Sequence, residues 1–363
     1  MNSLVMARQQ AQLAFDASGA NLVVGNALAC PLPPAELAAL TPDHPAVVTT
    51  YKGGLTAQVF HLRLGGQDYT LKQKRAKALV QNVDGQTSFL NEVQRRADFT
   101  RLKADPAWAP RLRAIVPTLY ADYRQGIILS PWIPGAPLAR FDALLMEQIL
   151  QTALACEQAG IQEWDLCAGN LLDDGQDIHL FDFGYTYTFD PLGSFNSNGL
   201  TDPLFHPCER LETRFFSGWL LQQGLAEPLA IAHFRTLKLV AFECYRAHRH
   251  WLVVSGAVPA VVARMDQLLA TWQQALTDEG ALARLYCCDL FRAHVLDIED
   301  DLHGKSCTPL TLRRVDEVSR LLATRFATLQ DGGALIYALA GRSQADLLAH
   351  YDAVRQQVAG YQL

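Results

Sequence analysis

Three polar residues in one short stretch have the types and spacing to do chemistry: Asp165, Asn170 five positions later, and Asp182 at the head of an Asp-Phe-Gly triplet. Two carboxylates and a carboxamide offer hard oxygen atoms, the kind that suit magnesium. Between them, residues 171–172 and 178–181 are short apolar runs, joined by Asp173-Asp174-Gly175-Gln176-Asp177. Turn formers between half-buried apolar runs signal a hairpin, and a hairpin here would hold the three side chains near one point.

The upstream half supplies the elements that would face this stretch. Residues 47–51, 57–64 and 68–74 alternate in polarity and are separated by Lys52-Gly53-Gly54 and Gly65-Gly66-Gln67, which predicts three antiparallel strands joined by glycine turns. Lys72 lies late in the third strand, and Lys74 shares its face because strand side chains repeat every second residue. A helix is predicted next. Phe89, Leu90, Val93, Ala97 and Phe99 fall at helical spacing, Ser88 is the candidate N-cap, and Glu92 is the acid of the first turns. Residues 115–123 and 126–129 read as two further strands, and Ser130-Pro-Trp-Ile-Pro-Gly135 breaks the pattern. An apolar helical stretch over 141–159 leads to the polar triad, with Gly160 at its C-terminus.

The ordered set Asp165, Asn170 and Asp-Phe-Gly, with a hairpin between, resembles the catalytic loop and metal-binding triplet of the protein-kinase-like superfamily, which spans protein kinases and small-molecule kinases. The resemblance covers roughly residues 47–188 and implies an α+β, two-lobed fold. Residues 1–45 would be an N-terminal extension. Residues 46–130 would form a small lobe of antiparallel sheet plus one helix, and residues 131–363 a large, mostly helical lobe. It implies ATP and magnesium as cofactors, with Asp165 taking the proton of an attacking hydroxyl and Asn170 and Asp182 holding the metal. Lys72 matches the strand lysine that contacts the phosphates, with Lys74 as its rival, and Glu92 matches the helix glutamate that holds that lysine. Gly53 and Gly54 stand where a phosphate-covering loop belongs, though the full Gly-x-Gly-x-x-Gly pattern is missing and an ordinary hairpin turn explains the pair equally well.

Several positions depart from the regulated protein kinases. Glu163 and Trp164 stand where His and Arg are usual, Cys167 where many Ser/Thr kinases carry lysine, and no Ala-Pro-Glu follows Asp182. The chain therefore resembles small-molecule and lipopolysaccharide-type kinases more. The expected activity is transfer of the terminal phosphate of ATP to a hydroxyl of a small molecule or glycan. Alternatives are a protein kinase, including a secreted effector, a non-catalytic pseudokinase, and transfer of the nucleotide instead of the phosphate.

Composition bounds the rest. With 363 residues, half of them hydrophobic, the chain is long enough for two domains or one large two-lobed one, and a net charge of -6 argues against a general nucleic-acid binder. Eight cysteines contain no Cys-x-x-Cys pair, which speaks against zinc and for small core residues in a reducing compartment. No secretory core follows the N-terminus and no apolar run is long enough to span a bilayer, so cytoplasm is the expected compartment; an injected effector would read the same. From Glu209 onward nearly everything reads as amphipathic helix. There Arg246-Ala-His-Arg-His-Trp reads as helix-surface charge, Cys287-Cys288 as packing, and Asp297, Glu299, Asp300 and Asp301 as a solvated acidic helix end. Gly304-Lys305-Ser306 is not a phosphate loop, because Glu299 occupies the required glycine position.

Overall fold

The computed structural model describes residues 3–363 and has an α+β architecture. Its contacts divide the chain into two compact units: residues 3–138, 155–165 and 169–188 form one, and residues 139–154, 166–168 and 189–363 the other.

The first unit opens with helix α1 (Ser3–Ala17), strand β1 (Val23–Gly25) and the short helix α2 (Pro34–Ala38). Strands β2 (Val47–Tyr51), β3 (Ala57–Leu64) and β4 (Gln67–Lys74) follow, then helix α3 (Val83–Lys103) and strands β5 (Tyr120–Asp122) and β6 (Ile127–Pro131). Six strands make one antiparallel sheet in the order β1-β5-β6-β4-β3-β2. The three strands expected between 47 and 74 are present, the third starting one residue early at Gln67, because alternation and glycine turns act locally. Within residues 3–45, α1 packs on α3, and β1 adds an edge strand beside β5. The strand expected over 115–123 forms only at its end, since Ile115 instead bridges Leu180.

Apolar residues fill both faces of this sheet. Phe89, Leu90 and Val93 of α3 pack with Ala57, Ala121 and Ile128 on one side, and Leu37, Phe60, Leu62, Leu71 and Leu129 pack on the other. Burying each such leucine or phenylalanine stabilises the unit by roughly 1.5–3 kcal/mol. Helix α3 starts a turn and a half before the expected cap: the Asn82 side chain accepts from Gly85 N at 2.7 Å, while Ser88 is buried inside the helix and donates to the Gly85 carbonyl at 3.1 Å. Gly85 is required, since any Cβ there would collide with Val80.

The remainder of the first unit surrounds the polar triad. Strand β7 (Ala136–Pro137) precedes helix α4 (Ala143–Gln158), whose last residues belong to this unit. Strand β8 (Ile161–Glu163), the β9 (Leu171–Asp173) and β10 (Ile178–Leu180) hairpin, and β11 (Thr186–Thr188) follow, with β8 paired to β11 and β7 to β9.

The second unit is helical: α5 (Pro207–Leu211), α6 (Ser217–Gln223), α7 (Glu227–Val254), α8 (Pro259–Thr277), α9 (Glu279–Gly304), α10 (Pro309–Asp331) and α11 (Gln344–Gly360). A π-helical turn, Glu212–Phe216, joins α5 to α6. The acidic end of α9 is solvated only in part, with Glu299 and Asp300 exposed as expected. Asp297 is buried and paired with Arg214 and with Arg314 at 2.7 Å, and Asp300 reaches Arg210 at 3.4 Å. The basic run is helix-surface charge in part, with Arg246 paired to Glu243, whereas His248 is buried and stacks on Trp251. All eight cysteines are free thiols. Among the described residues no helix is long and apolar enough to cross a membrane.

Candidate active site

Strand β4 carries Lys72 to a side chain only 3% exposed, where its Nζ lies 2.8 Å from Glu92 Oε1 on α3 and 2.7 Å from Asp182 Oδ2. An ammonium in so little water requires such partners, since an unpaired buried charge is strongly disfavoured. Lys74, on the same strand face, goes elsewhere: its Nζ sits over the Tyr123 ring at 4.6 Å and 3.4 Å from the hydroxyl. Burial lowers its pKa below the ordinary lysine value.

Arg96, one turn after Glu92, braces the same carboxylate. Its Nε and Nη2 reach Glu92 Oε1 at 3.0 and 2.8 Å, Nη2 also donates to the Phe181 carbonyl at 2.8 Å, and Nη1 reaches Ser130 and Thr118. Glu92 is thus fixed from both sides. Asn91 ties the helix to the Asp-Phe-Gly backbone, its Nδ2 lying 3.0 Å from Gly184 O and 2.8 Å from Thr186 O. On the other edge of α3, α1 adds a lateral tie, with Gln12 Nε2 at 2.6 Å from Gln94 Oε1 and Gln9 donating to Asp84.

Asp182 keeps 31% of its side chain exposed, unlike Lys72 and Glu92. Burial pushes its carboxyl up. The Lys72 ammonium, with the Gly184 N–H and Arg96, more than offsets this and holds it below the ordinary carboxylate value. In the loop before the hairpin, Asn170 Nδ2 donates to both the carbonyl and Oδ2 of Asp165, each at 3.0 Å. With its amino group so engaged, the Asn170 carboxamide leaves its oxygen for another partner. A partly exposed carboxylate and an amide oxygen are hard donors of the kind magnesium takes, so these residues fit such an ion by donor chemistry.

Beneath this loop lies a buried carboxyl. Glu163 Oε1 accepts from Asp165 N at 2.7 Å, and Oε2 meets the Thr186 hydroxyl across the β8–β11 pair. Burial pushes the Glu163 pKa up to about 8, against the lowering effect of those two hydrogen bonds. Glu157 is likewise pushed up by burial to about 8, with Gln162 Nε2 donating to it at 3.1 Å. Arg8 of α1 stacks over the Tyr187 ring at 3.5 Å and lies 5.9 Å from the Trp164 ring.

The expected residues therefore fall into two local groups. Lys72, Glu92 and Asp182 are in direct contact, and Asp165 and Asn170 are in direct contact. Gly53 and Gly54 join neither group. Gly54 is needed because a Cβ would overlap the Ala57 carbonyl oxygen, while Gly53 faces open space, so a packing reason exists for one and not the other. Arg96, Asn91 and Glu163 are supports that sequence reasoning missed. Arg96 had a signal, being four residues from Glu92 on one helix face. Asn91 interrupts an apolar stripe, and Glu163 sits in a strand otherwise destined for burial. No protein-family model matches this sequence, and neither does any curated protein.

Proposed function

We propose that this chain is an ATP- and magnesium-dependent phosphotransferase of the protein-kinase-like type, with residues 46–130 as its small lobe and 131–363 as its large helical lobe. The single observation that carries the reading is the Lys72 ammonium bridging Glu92 and Asp182 at 2.8 and 2.7 Å. A lysine fixed by a helix glutamate beside the first residue of an Asp-Phe-Gly triplet is the arrangement phosphoryl transfer uses to orient phosphates.

In this reading Lys72 places one fixed positive charge on the nucleotide phosphates, and Glu92, braced by Arg96, keeps it there. Asn170 and Asp182 hold magnesium, which when bound neutralises the charge developing on the transferred group. Asp165 accepts the proton of the acceptor hydroxyl as the new oxygen–phosphorus bond forms, the bond from the terminal phosphorus to the bridging oxygen breaks, and ADP leaves. Asn170 and the Glu163 carboxyl hold Asp165 in position for that step.

The acceptor is the hydroxyl of a small molecule or glycan. Cys167 in place of lysine and the missing Ala-Pro-Glu support this over a protein acceptor. Incubating the protein with lysate and terminally labelled ATP separates the two, since label in the small-molecule fraction supports the first and a labelled protein band the second.

Asp165→Asn tests the reaction itself. A base contacts the acceptor and not the nucleotide, so affinity for ATP–magnesium should stay near wild type while turnover falls by about 10²–10⁴-fold. Undiminished turnover in a folded variant overturns the base assignment, and a wild-type protein that binds nucleotide without turning it over overturns the enzyme.

A further inference from the structure

Helix α1 docks on the first unit through a largely polar face. Val5, Arg8, Gln9, Gln12 and Phe15, spaced to share one side of a helix, are its less exposed residues, whereas Leu4, Met6 and Leu13 stay 45–50% exposed. Apolar packing alone would turn the leucines inward. A polar face behaves differently, because hydrogen bonds hold only over a narrow range of distance and angle and so fix where the helix sits.

That face reaches both local groups of the candidate active site. Gln12 Nε2 donates to Gln94 Oε1 at 2.6 Å and to Asn91 Oδ1 at 3.4 Å. With its oxygen turned to α1, Asn91 presents Nδ2 to the carbonyls of Gly184 and Thr186 at 3.0 and 2.8 Å. Gly184 N donates in turn to Asp182 Oδ1 at 3.1 Å. A chain of hydrogen bonds therefore runs from Gln12 through Asn91 and Gly184 to the Asp182 carboxylate.

One turn earlier on α1, the Arg8 guanidinium lies 3.5 Å above the Tyr187 ring and 5.9 Å from the Trp164 ring. Those two rings meet edge to face at 5.4 Å. Tyr187 belongs to β11, paired with β8, and Trp164 directly precedes Asp165. The far end of α1 is anchored independently. Asp16 accepts from the Tyr123 hydroxyl at 2.5 Å and pairs with Arg124 at 3.0 Å, so Arg8 and Gln12 are presented from a fixed helix.

We infer that Arg8 and Gln12 are positioning residues for the phosphotransferase site. Gln12 acts through Asn91 on the magnesium-holding Asp182, and Arg8 acts through Tyr187 and Trp164 on Asp165, so one helix sets both groups. The inference rests on the phosphotransferase reading above.

Full-length Gln12→Ala and Arg8→Ala proteins test it, with Leu13→Ala on the exposed side of the same helix as control. Alanine is the best helix former, so all three variants retain α1. Calorimetry reads ATP binding across a magnesium titration, and terminally labelled ATP with a lysate small-molecule fraction reads turnover. Gln12→Ala should raise the magnesium concentration that half-saturates ATP binding by about three- to tenfold, the effect of losing one hydrogen bond, with turnover at saturating magnesium near wild type. Arg8→Ala should lower that turnover by about three- to tenfold, the effect of losing a partly desolvated cation–π contact, with the magnesium requirement unchanged. A role in packing alone would move both quantities together, in step with melting temperature. The inference is overturned if either variant behaves as Leu13→Ala does, or if both quantities move together in each variant. Arg8→Met and Gln12→Met, which keep side-chain bulk, carry the same comparison where an alanine variant fails to fold. Wild-type protein with no magnesium-dependent ATP binding overturns the phosphotransferase reading and this inference with it, whereas active wild type with indifferent variants overturns this inference alone.

Discussion

Glu163→Gln should stabilise this protein at neutral pH and leave it unchanged in acid. Glu163 is 5% exposed, and its pKa rises from an ordinary 4.5 to about 8 on folding, with burial as the main cause. A carboxyl raised in this way contributes its full share of stability below the unfolded value and loses it as pH rises towards the folded one. At pH 7 the unfolded chain has released the proton and the folded chain has kept it. At about 1.4 kcal/mol per pH unit, the 2.5 units between 4.5 and 7 amount to a penalty of about 3 kcal/mol. Glutamine has the same shape and no proton to lose. Its carbonyl can accept from Asp165 N and its amide can donate to Thr186, so the hydrogen bonds survive while the penalty disappears. Guanidinium unfolding of both proteins from pH 4 to pH 8.5 should show equal stability at pH 4 and a gap widening to about 3 kcal/mol at pH 7. A residual slope from Glu157, raised by the same cause, should remain in the variant. A gap that is constant with pH, or a less stable variant at pH 7.5, refutes the argument that Glu163 is held as a neutral acid under the loop.

Two further outcomes bear on the proposed reaction. Lys72→Ala should lower turnover by about 10²–10³-fold, as removal of a fixed donor in a poorly solvated site does, while Lys74→Ala should cost little; steady-state assays on both variants check this, and the opposite order would show that Lys74 serves the phosphates. Asp182→Asn should make nucleotide affinity independent of magnesium, measured by calorimetry across a magnesium titration, and an unchanged magnesium dependence would remove Asp182 from the metal site.

How much of this was legible depended on how local the cause was. Strands β2, β3 and β4 follow from period-two alternation broken by glycine turns, and both signals lie within a few residues of what they specify. The β9–β10 hairpin is of the same kind. Strand β1 is only three residues long, too short to show a period, and it exists because β5 offers it an edge. The start of α3 was misplaced because Ser88 is an equally good cap by type. What decides between the two is Gly85, whose amide Asn82 takes and whose missing side chain admits Val80. Lys72, Asn170 and Asp182 could be singled out by type and order, with Lys74 as the rival on the same strand face; that Lys72 meets Glu92 and Lys74 meets Tyr123 depends on α3 and on a tyrosine 49 positions away.

The supports were hidden for a related reason. Arg96 binds the Phe181 carbonyl 85 positions away, Asn91 reaches Thr186 95 positions away, and Arg214 finds Asp297 83 positions away. A sequence cannot name such partners, yet it can say that they must exist. Lys238 shows how. It lies between Leu237 and Leu239 on a helix whose apolar face it shares, it is 2% exposed, and it is held by Glu212 at 2.5 Å and Asp289 at 2.9 Å. Moving a lone ammonium into such surroundings costs more than folding can supply, so a lysine on an apolar stripe implies at least one buried acid. By the same logic Asn91 and Arg96, set in the stripe of Phe89, Leu90, Val93 and Phe99, implied buried acceptors facing α3. Those acceptors turn out to be the carbonyls of Phe181, just before the triplet, and of Gly184 within it, with Glu92 of α3 itself as a further partner of Arg96. A polar residue on an apolar face is therefore the sequence's clearest pointer to where its chemistry is braced.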